Sequence, residues 1–465
     1  MQKFWAAVAV TAAMVAAPAA RSETLADALI SAYRSSNLLD QNQAVLRAAD
    51  EDAAVALAQL RPVISFATQA TWTKQDYAFR NNILGNPVGS PLYTESTEAS
   101  AQLSATFLIY AGGRGKMAVD VARESVLSTR ESLLNVEQQV LLAAVSAYVD
   151  VRLQIETVAL RESNVRLISQ ELQAAKDRFD VGEVTLTDVS LAEARRAAAQ
   201  SGLAAAQGAL EAARERYKAA IGHYPGKLSP LPKLPFAAKS EEAARAIAVR
   251  NHPVIKQAGH EVKISGIQVK IAEAAFLPTV SSSLTINEDW QSGSGNTVAG
   301  IRFSDTIYQG GERSALYRKA LAGKEATAAA QLQAVVEVSE AVGNAWSNVI
   351  VQQASIKAGG LQVTAAQKAF DGVREEATLG ARTTLDVLDA EQELLSARAD
   401  KLQSEASRYV GVYQLLSTMG QLTADQLNLG ITTYDPEAYY NAVKKAPLTS
   451  TRGKRLDNIL KKIGN

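Results

Sequence analysis

The chain has 465 residues, with 48 basic and 48 acidic side chains, so its formal net charge is zero, and nucleic-acid binders usually carry a basic excess. With 47% hydrophobic and 6% aromatic residues and a mean hydropathy of −0.06, it is neither a disordered chain nor a bundle of apolar membrane helices. Cysteine is absent, which excludes disulfides, cysteine-ligated zinc, thiol catalysis and an N-terminal lipidated cysteine; the three histidines, His223, His252 and His260, lack helical metal-pair spacing and read as structural.

Residues 1–22 have the layout of a secretory signal peptide. Lys3 supplies the positive start, Phe4 to Ala17 the apolar stretch, and cleavage fits after Ala17-Pro18-Ala19 or after Ala20-Arg21-Ser22. That apolar stretch, about 14 residues, is too short to cross a bilayer as a helix, and no later stretch is long and apolar enough to do so. If the mature protein enters a membrane, it does so without α-helices.

A first repeat is predicted over 23–222: a helical lead, two strands and a long helical hairpin. In the strands, Ile64, Phe66, Ala70 and Trp72 alternate with Ser65, Gln69, Thr71 and Thr73, and Ala99 to Ile109 alternates in the same way. Such strands, about ten residues long, apolar on one face and small-polar on the other, suit an outer-membrane barrel. Lys116 to Val181 then holds neither glycine nor proline, and Leu127, Leu134, Leu141, Tyr148 and Ile155 recur every seventh residue. A seven-residue period predicts coiled-coil packing of a helix roughly 100 Å long. Gly182, with the positive φ it allows, marks the reversal of the hairpin.

A proline-rich linker, 223–238, leads to a second repeat over 239–420. Tyr110-Ala111-Gly112-Gly113 recurs 198 residues later as Tyr308-Gln309-Gly310-Gly311, and Tyr148 as Trp346. Gly182-x-x-Thr185-x-x-Asp188-Val189 recurs at the same offset as Gly380-x-x-Thr383-x-x-Asp386-Val387, and Gly222 as Gly420. A constant offset means no net insertion, as rigid packed elements require. Two more strands are expected, one around Val280, Leu284 and Ile286 and one around Ala299, Ile301, Phe303 and Ile307; a second seven-residue series runs from Ala328 to Val363, and Gly380 marks a second reversal. Residues 421–465 form a nonrepeating, partly disordered tail whose basic end (Lys444, Lys445, Arg452, Lys454, Arg455, Lys461, Lys462) holds a single acid, Asp457. Four strands cannot close a membrane barrel, because open sheet edges in lipid leave backbone groups unpaired. A spanning chain must therefore oligomerise, and three copies supply twelve strands.

The order of these motifs resembles the TolC family of outer-membrane efflux and secretion channels. It is carried by Leu60-Arg61-Pro62 and Phe276-Leu277-Pro278 entering the strands, the two Tyr-x-Gly-Gly exits, Arg178-Phe179-Asp180-Val181-Gly182 with Thr187-Asp188-Val189, and the run Gly380 to Ala390. Tyr434-Asp435-Pro436-Glu437-Ala438-Tyr439-Tyr440 looks like the subgroup tied to type I protein secretion. The resemblance implies a mainly α fold with a membrane β-barrel: a homotrimer with a 12-stranded barrel in the outer membrane of a Gram-negative bacterium, above a coiled-coil tunnel in the periplasm. It implies two partners, a periplasmic adaptor (membrane fusion protein) and an inner-membrane transporter, for export of small molecules or polypeptides.

Asp386 and Asp389, three residues apart, share one helix face, and in a trimer they make two stacked rings of carboxylates, favouring cations. The first repeat keeps Asp188 at the place of Asp386 but has Leu191 at the place of Asp389. The family's periplasmic constriction falls on these two aspartates, and the resemblance gives Arg382 closing links to Thr187 and Asp188. One departure is Ala377, where the family pattern often has an aromatic residue and the first repeat keeps Phe179. No nucleophile motif, phosphate loop or dinucleotide fingerprint occurs, so no enzymatic role, cofactor or bound metal is expected. The competing expectation is a periplasmic coiled-coil structural or adaptor-like protein without a pore.

Overall fold

A computed structural model describes residues 22–76, 80–81, 87–88, 93–445 and 458. The leader up to residue 21, and the basic residues from Arg452 to Lys462 with Asp457, lie outside these described residues. In chain order the elements are α1 Leu25–Ser35, α2 Asn37–Ala58, β1 Val63–Asp76, β2 Arg80–Asn81, β3 Pro87–Val88, β4 Tyr93–Tyr110, α3 Arg114–Asp180 and α4 Leu186–Ile221. Then follow α5 Glu241–Asn251, α6 Pro253–Ala274, β5 Thr279–Asp289, β6 Ser294–Ser304, α7 Glu312–Thr378, α8 Thr384–Thr418 and α9 Pro436–Val443. The repeat is visible in these bounds: α3 and α7 both have 67 residues, and their starts, Arg114 and Glu312, lie 198 apart.

The chain divides into two compact units, and each repeat contributes to both. One unit comprises the described residues up to Asp40, Asn135–His252 and Val338–Thr433. Its core is built on the heptad positions Leu141, Tyr148 and Val342, all fully buried, with Tyr217, Ile221 and Met419. The Tyr148 hydroxyl donates to the carbonyls of Glu23 (3.0 Å) and Ser229 (2.8 Å), which ties the proline-rich linker to the core. A buried hydroxyl placed between two acceptors avoids the cost of an unpaired polar group.

The other unit comprises Gln41–Leu134, Pro253–Glu337 and the residues from Tyr434 onward. It holds a four-stranded antiparallel sheet in the order β1-β4-β5-β6. The register aligns Phe66 with Leu103 and Leu103 with Ile286, and likewise Ile64, Ala105, Leu284 and Ala299, so one face is a continuous apolar surface. On the opposite face the hydroxyls of Ser65 and Ser104 meet at 2.7 Å. The apolar face is uncovered: Ile64 is 72% exposed, Phe66 70%, Ile301 75% and Phe303 67%. No helix among the described residues is long and apolar enough to cross a membrane.

Two strand bounds differ from the expected ten residues. β1 and β4 run to 14 and 18 residues, because their ladder continues past the apolar alternation into a polar stretch. There Thr73 pairs with Ser96 and Lys74 with Glu95, an ion pair at 4.0 Å. Cross-strand polar pairs stabilise a ladder as apolar ones do. β6 stops at Ser304, opposite Thr279, and Ile307 falls outside it, 98% exposed. The residue before Thr279 is Pro278, which has no N–H to continue the ladder.

The start of the nonrepeating tail is built into the fold. α9 is capped by Asp435 and lies against α2 and α3: Arg130 donates to the Pro436 carbonyl (3.2 Å), and the Tyr439 hydroxyl to Glu51 (2.8 Å). Beside this contact Asp50 is fully buried, and neither carboxylate oxygen has a hydrogen-bond partner among the described residues. Burial pushes its pKa up from 3.8 to about 6, although Arg130 offsets part of the rise. Because the folded pKa lies above the unfolded one, Asp50 supports the fold below about pH 4, and that support is lost as pH rises through 6. Asp50→Asn is therefore expected to stabilise the protein by on the order of 2 kcal/mol at pH 8 and by nothing at pH 4. Urea unfolding of the detergent-solubilised protein at both pH values checks this; equal gains at both contradict it.

Candidate functional site

The two helix reversals are built alike. After α3, Gly182 takes φ 85°, its N–H donates to the Phe179 carbonyl, and the Glu183 N–H donates to the Arg178 carbonyl, both at 2.9 Å. After α7, Gly380 takes φ 76°, with the equivalent bonds to Ala377 (3.2 Å) and Glu376 (2.9 Å). A Cβ at either glycine meets nothing within 4 Å, so the positive φ alone makes these positions glycine.

Each following helix opens on a capping box. Asp188 Oδ2 accepts from the Thr185 N–H (3.0 Å) and hydroxyl (2.8 Å), while the Asp188 N–H donates back to the Thr185 hydroxyl. Asp386 and Thr383 repeat this, at 3.0 and 2.9 Å. The cap bonds from Thr185 and Thr383 hold the Asp188 and Asp386 carboxyls below the usual carboxylate range, and Arg382 adds to the effect at Asp386. These aspartates thus have a structural task that their charge alone does not reveal. The signal was present as Thr-x-x-Asp in both repeats.

The two turns line one groove of about 660 Å³ with Arg178, Glu183, Thr185, Asp188, Arg382 and Asp386. Thr187 is exposed and does not line it. Arg382 donates from Nε to Glu376 at 2.8 Å, on the turn it belongs to. No hydrogen bond or ion pair joins Arg382 to Thr187 or Asp188 among the described residues of this single chain. Ala377 is buried in an apolar cluster with Phe370, Val387 and Leu394, so the small side chain fills core where an aromatic would need more room.

Asp389 points elsewhere. Its carboxylate accepts from Arg195 of α4 at 2.7 Å. Further from the turns, Glu171 pairs with Arg374 at 3.1 Å, and buried Asn164 donates to buried Glu391. Burial pushes the Glu391 carboxyl up, and the Asn164 bond offsets part of that. These three links join the first hairpin to the second. Nothing local in the sequence pairs their members, which lie 194 to 227 residues apart. Among the described residues, no group of three or more histidine or acidic side chains is arranged to hold a metal ion.

The family model for outer membrane efflux proteins matches residues 6–223 and 245–421. Outer membrane efflux protein BepC of Brucella suis is 35% identical over 448 residues, covering 94% of each chain. Outer membrane protein TolC of Escherichia coli is 24% identical over 373 residues, 76% of this chain and 74% of its own. In fold, the crystal structure of CusC superposes with a TM-score of 0.74 at 19% identity, over 86% of this chain and 92% of that one.

Proposed function

The chain belongs to the outer membrane efflux protein family, and from that premise we propose that three copies assemble into one export channel whose narrow end is ringed by Asp386 and Asp389. It is a transport protein of the outer membrane and not an enzyme. The observation that carries the proposal is the four-stranded sheet: its apolar face is uncovered, and its edges are β1 and β6. In lipid each unpaired backbone group costs several kcal/mol, so edges must meet edges of other copies. Three copies close twelve strands around a lumen faced by hydroxyls such as Ser65 and Ser104.

In this assembly the paired helices α3/α4 and α7/α8 wall a periplasmic tunnel, and the turns at Gly182 and Gly380 lie at its entrance. Those turns present Val181, Leu186 and Leu379 at 71%, 64% and 80% exposure. Apolar side chains so exposed at a tip suit coverage by a periplasmic adaptor, which links the channel to an inner-membrane transporter. We assign the choice of exported solutes or polypeptides to that transporter. Arg382 closes the entrance in the assembled channel by turning from Glu376 toward Thr187 and Asp188. A periplasmic coiled-coil protein without a pore has no use for an uncovered apolar sheet.

Reconstitution of the mature protein into planar bilayers tests the proposal. Discrete, small, cation-preferring conductance steps are expected, blocked by multivalent cations from the periplasmic side. Bilayers that stay silent at protein amounts that insert would contradict a pore.

A further inference from the structure

We infer that Arg195 is the specificity-determining counter-charge of the constriction: it neutralises Asp389, leaving Asp386 as the ring that meets permeating ions. The inference rests on the acidic-constriction proposal above and deepens it. Three observations carry it. The Arg195 guanidinium sits 2.7 Å from Asp389, and no other partner of either side chain occurs among the described residues. Asp386 has no ion-pair partner among the described residues; its carboxylate is engaged by neutral donors of its own cap, and the nearby Arg382, ion-paired with Glu376, acts on it only at longer range. The two carboxylates are therefore unequal, although the sequence spaces them as equals.

The third observation comes from the repeat. At the 198-residue offset, the counterpart of Asp389 is Leu191 and that of Arg195 is Glu393. Neither charge is duplicated, yet the fold brings the two unduplicated charges into contact across α4 and α8. Packing does not require either one, since both are substantially exposed (42% for Arg195 and 57% for Asp389). An exposed pair adds little to stability. Its consequence lies in the field at the entrance: in a trimer, three guanidinium charges cancel three of six carboxylate charges. Counter-charges a few ångströms from an ion path act well within the Debye length, where screening leaves most of their effect.

Bilayer recordings of the full mature protein, with a trivalent metal–hexammine cation as the probe, test the inference. Arg195→Gln is expected to tighten block at least about threefold and to raise cation preference, because the three Asp389 carboxylates then lose their counter-charge. Arg195→Lys should stay close to wild type, and Arg195→Gln combined with Asp389→Asn should return block to near the wild-type value. A purely structural role for Arg195 would not give rescue by removing its partner. Unchanged block in Arg195→Gln, while Asp386→Asn with Asp389→Asn abolishes it, overturns the role of Arg195 and leaves the acidic constriction standing. Block that survives in the doubly amidated variant removes the constriction itself, and the role of Arg195 with it.

Discussion

Converting Asp386 and Asp389 together to asparagine is expected to abolish block by multivalent cations and to reduce the cation-to-anion permeability ratio at least about tenfold. Asparagine is the informative choice. At position 386 its side-chain oxygen still accepts from the Thr383 N–H and hydroxyl, so the cap that opens α8 is kept. Alanine at the same place removes the cap as well as the charge, at a cost of about 1 kcal/mol per chain. Position 389 fills no core, so its amidation leaves the packing of α8 unchanged. Two unit charges about 6 Å from an ion in water interact by roughly 0.7 kcal/mol each. Six such charges around a trimer are enough for the expected change, and Arg195, left without its partner, pushes selectivity further toward anions. Wild-type block and selectivity in this variant would place the constriction elsewhere in the tunnel.

Both periods that define the fold were legible along the chain. The alternation of Ile64, Phe66, Leu103, Phe107, Leu284 and Ile301 is a local consequence of one face meeting an apolar surface and the other a polar one. The heptads of α3 and α7 reflect helix-on-helix packing in the same way, and Leu141, Tyr148 and Val342 are indeed buried. The constant offset of 198 residues reappears in the bounds of α3 and α7. What failed to show was the continuation of β1 and β4 through Thr94 to Glu98, where pairing persists after apolar alternation ends. Hydropathy alone does not mark a strand whose stability comes from polar cross-strand pairs.

The site was legible only in part, for a different reason. Gly182 and Gly380 announce their positive φ by residue type. The Thr-x-x-Asp signature of each cap was visible, but its carboxylate reads as free charge until the cap geometry is seen. Arg195 and Asp389, Glu171 and Arg374, and Asn164 and Glu391 are contacts between hairpins remote in sequence, and no local pattern selects one arginine among many. Asp50 is similar: it lies four residues from Leu46 and three from Ala53 on the buried face of α2, yet an acid in a helix is ordinarily assigned to solvent.

The largest expected effect of all is on assembly. A monomer inserted in a bilayer would leave the outer backbone groups of β1 and β6 without partners, and eleven residues along β6 alone make that cost prohibitive at several kcal/mol per group. Pairing β6 of one copy with β1 of the next removes both edges at once, and the closed ring then has four strands from each chain. The molar mass of the protein in detergent, by light scattering corrected for bound detergent or by native mass measurement, tests this most directly. Three chains per particle, in particles that also conduct across a bilayer, is the predicted result. A monomer or dimer that conducts would contradict it.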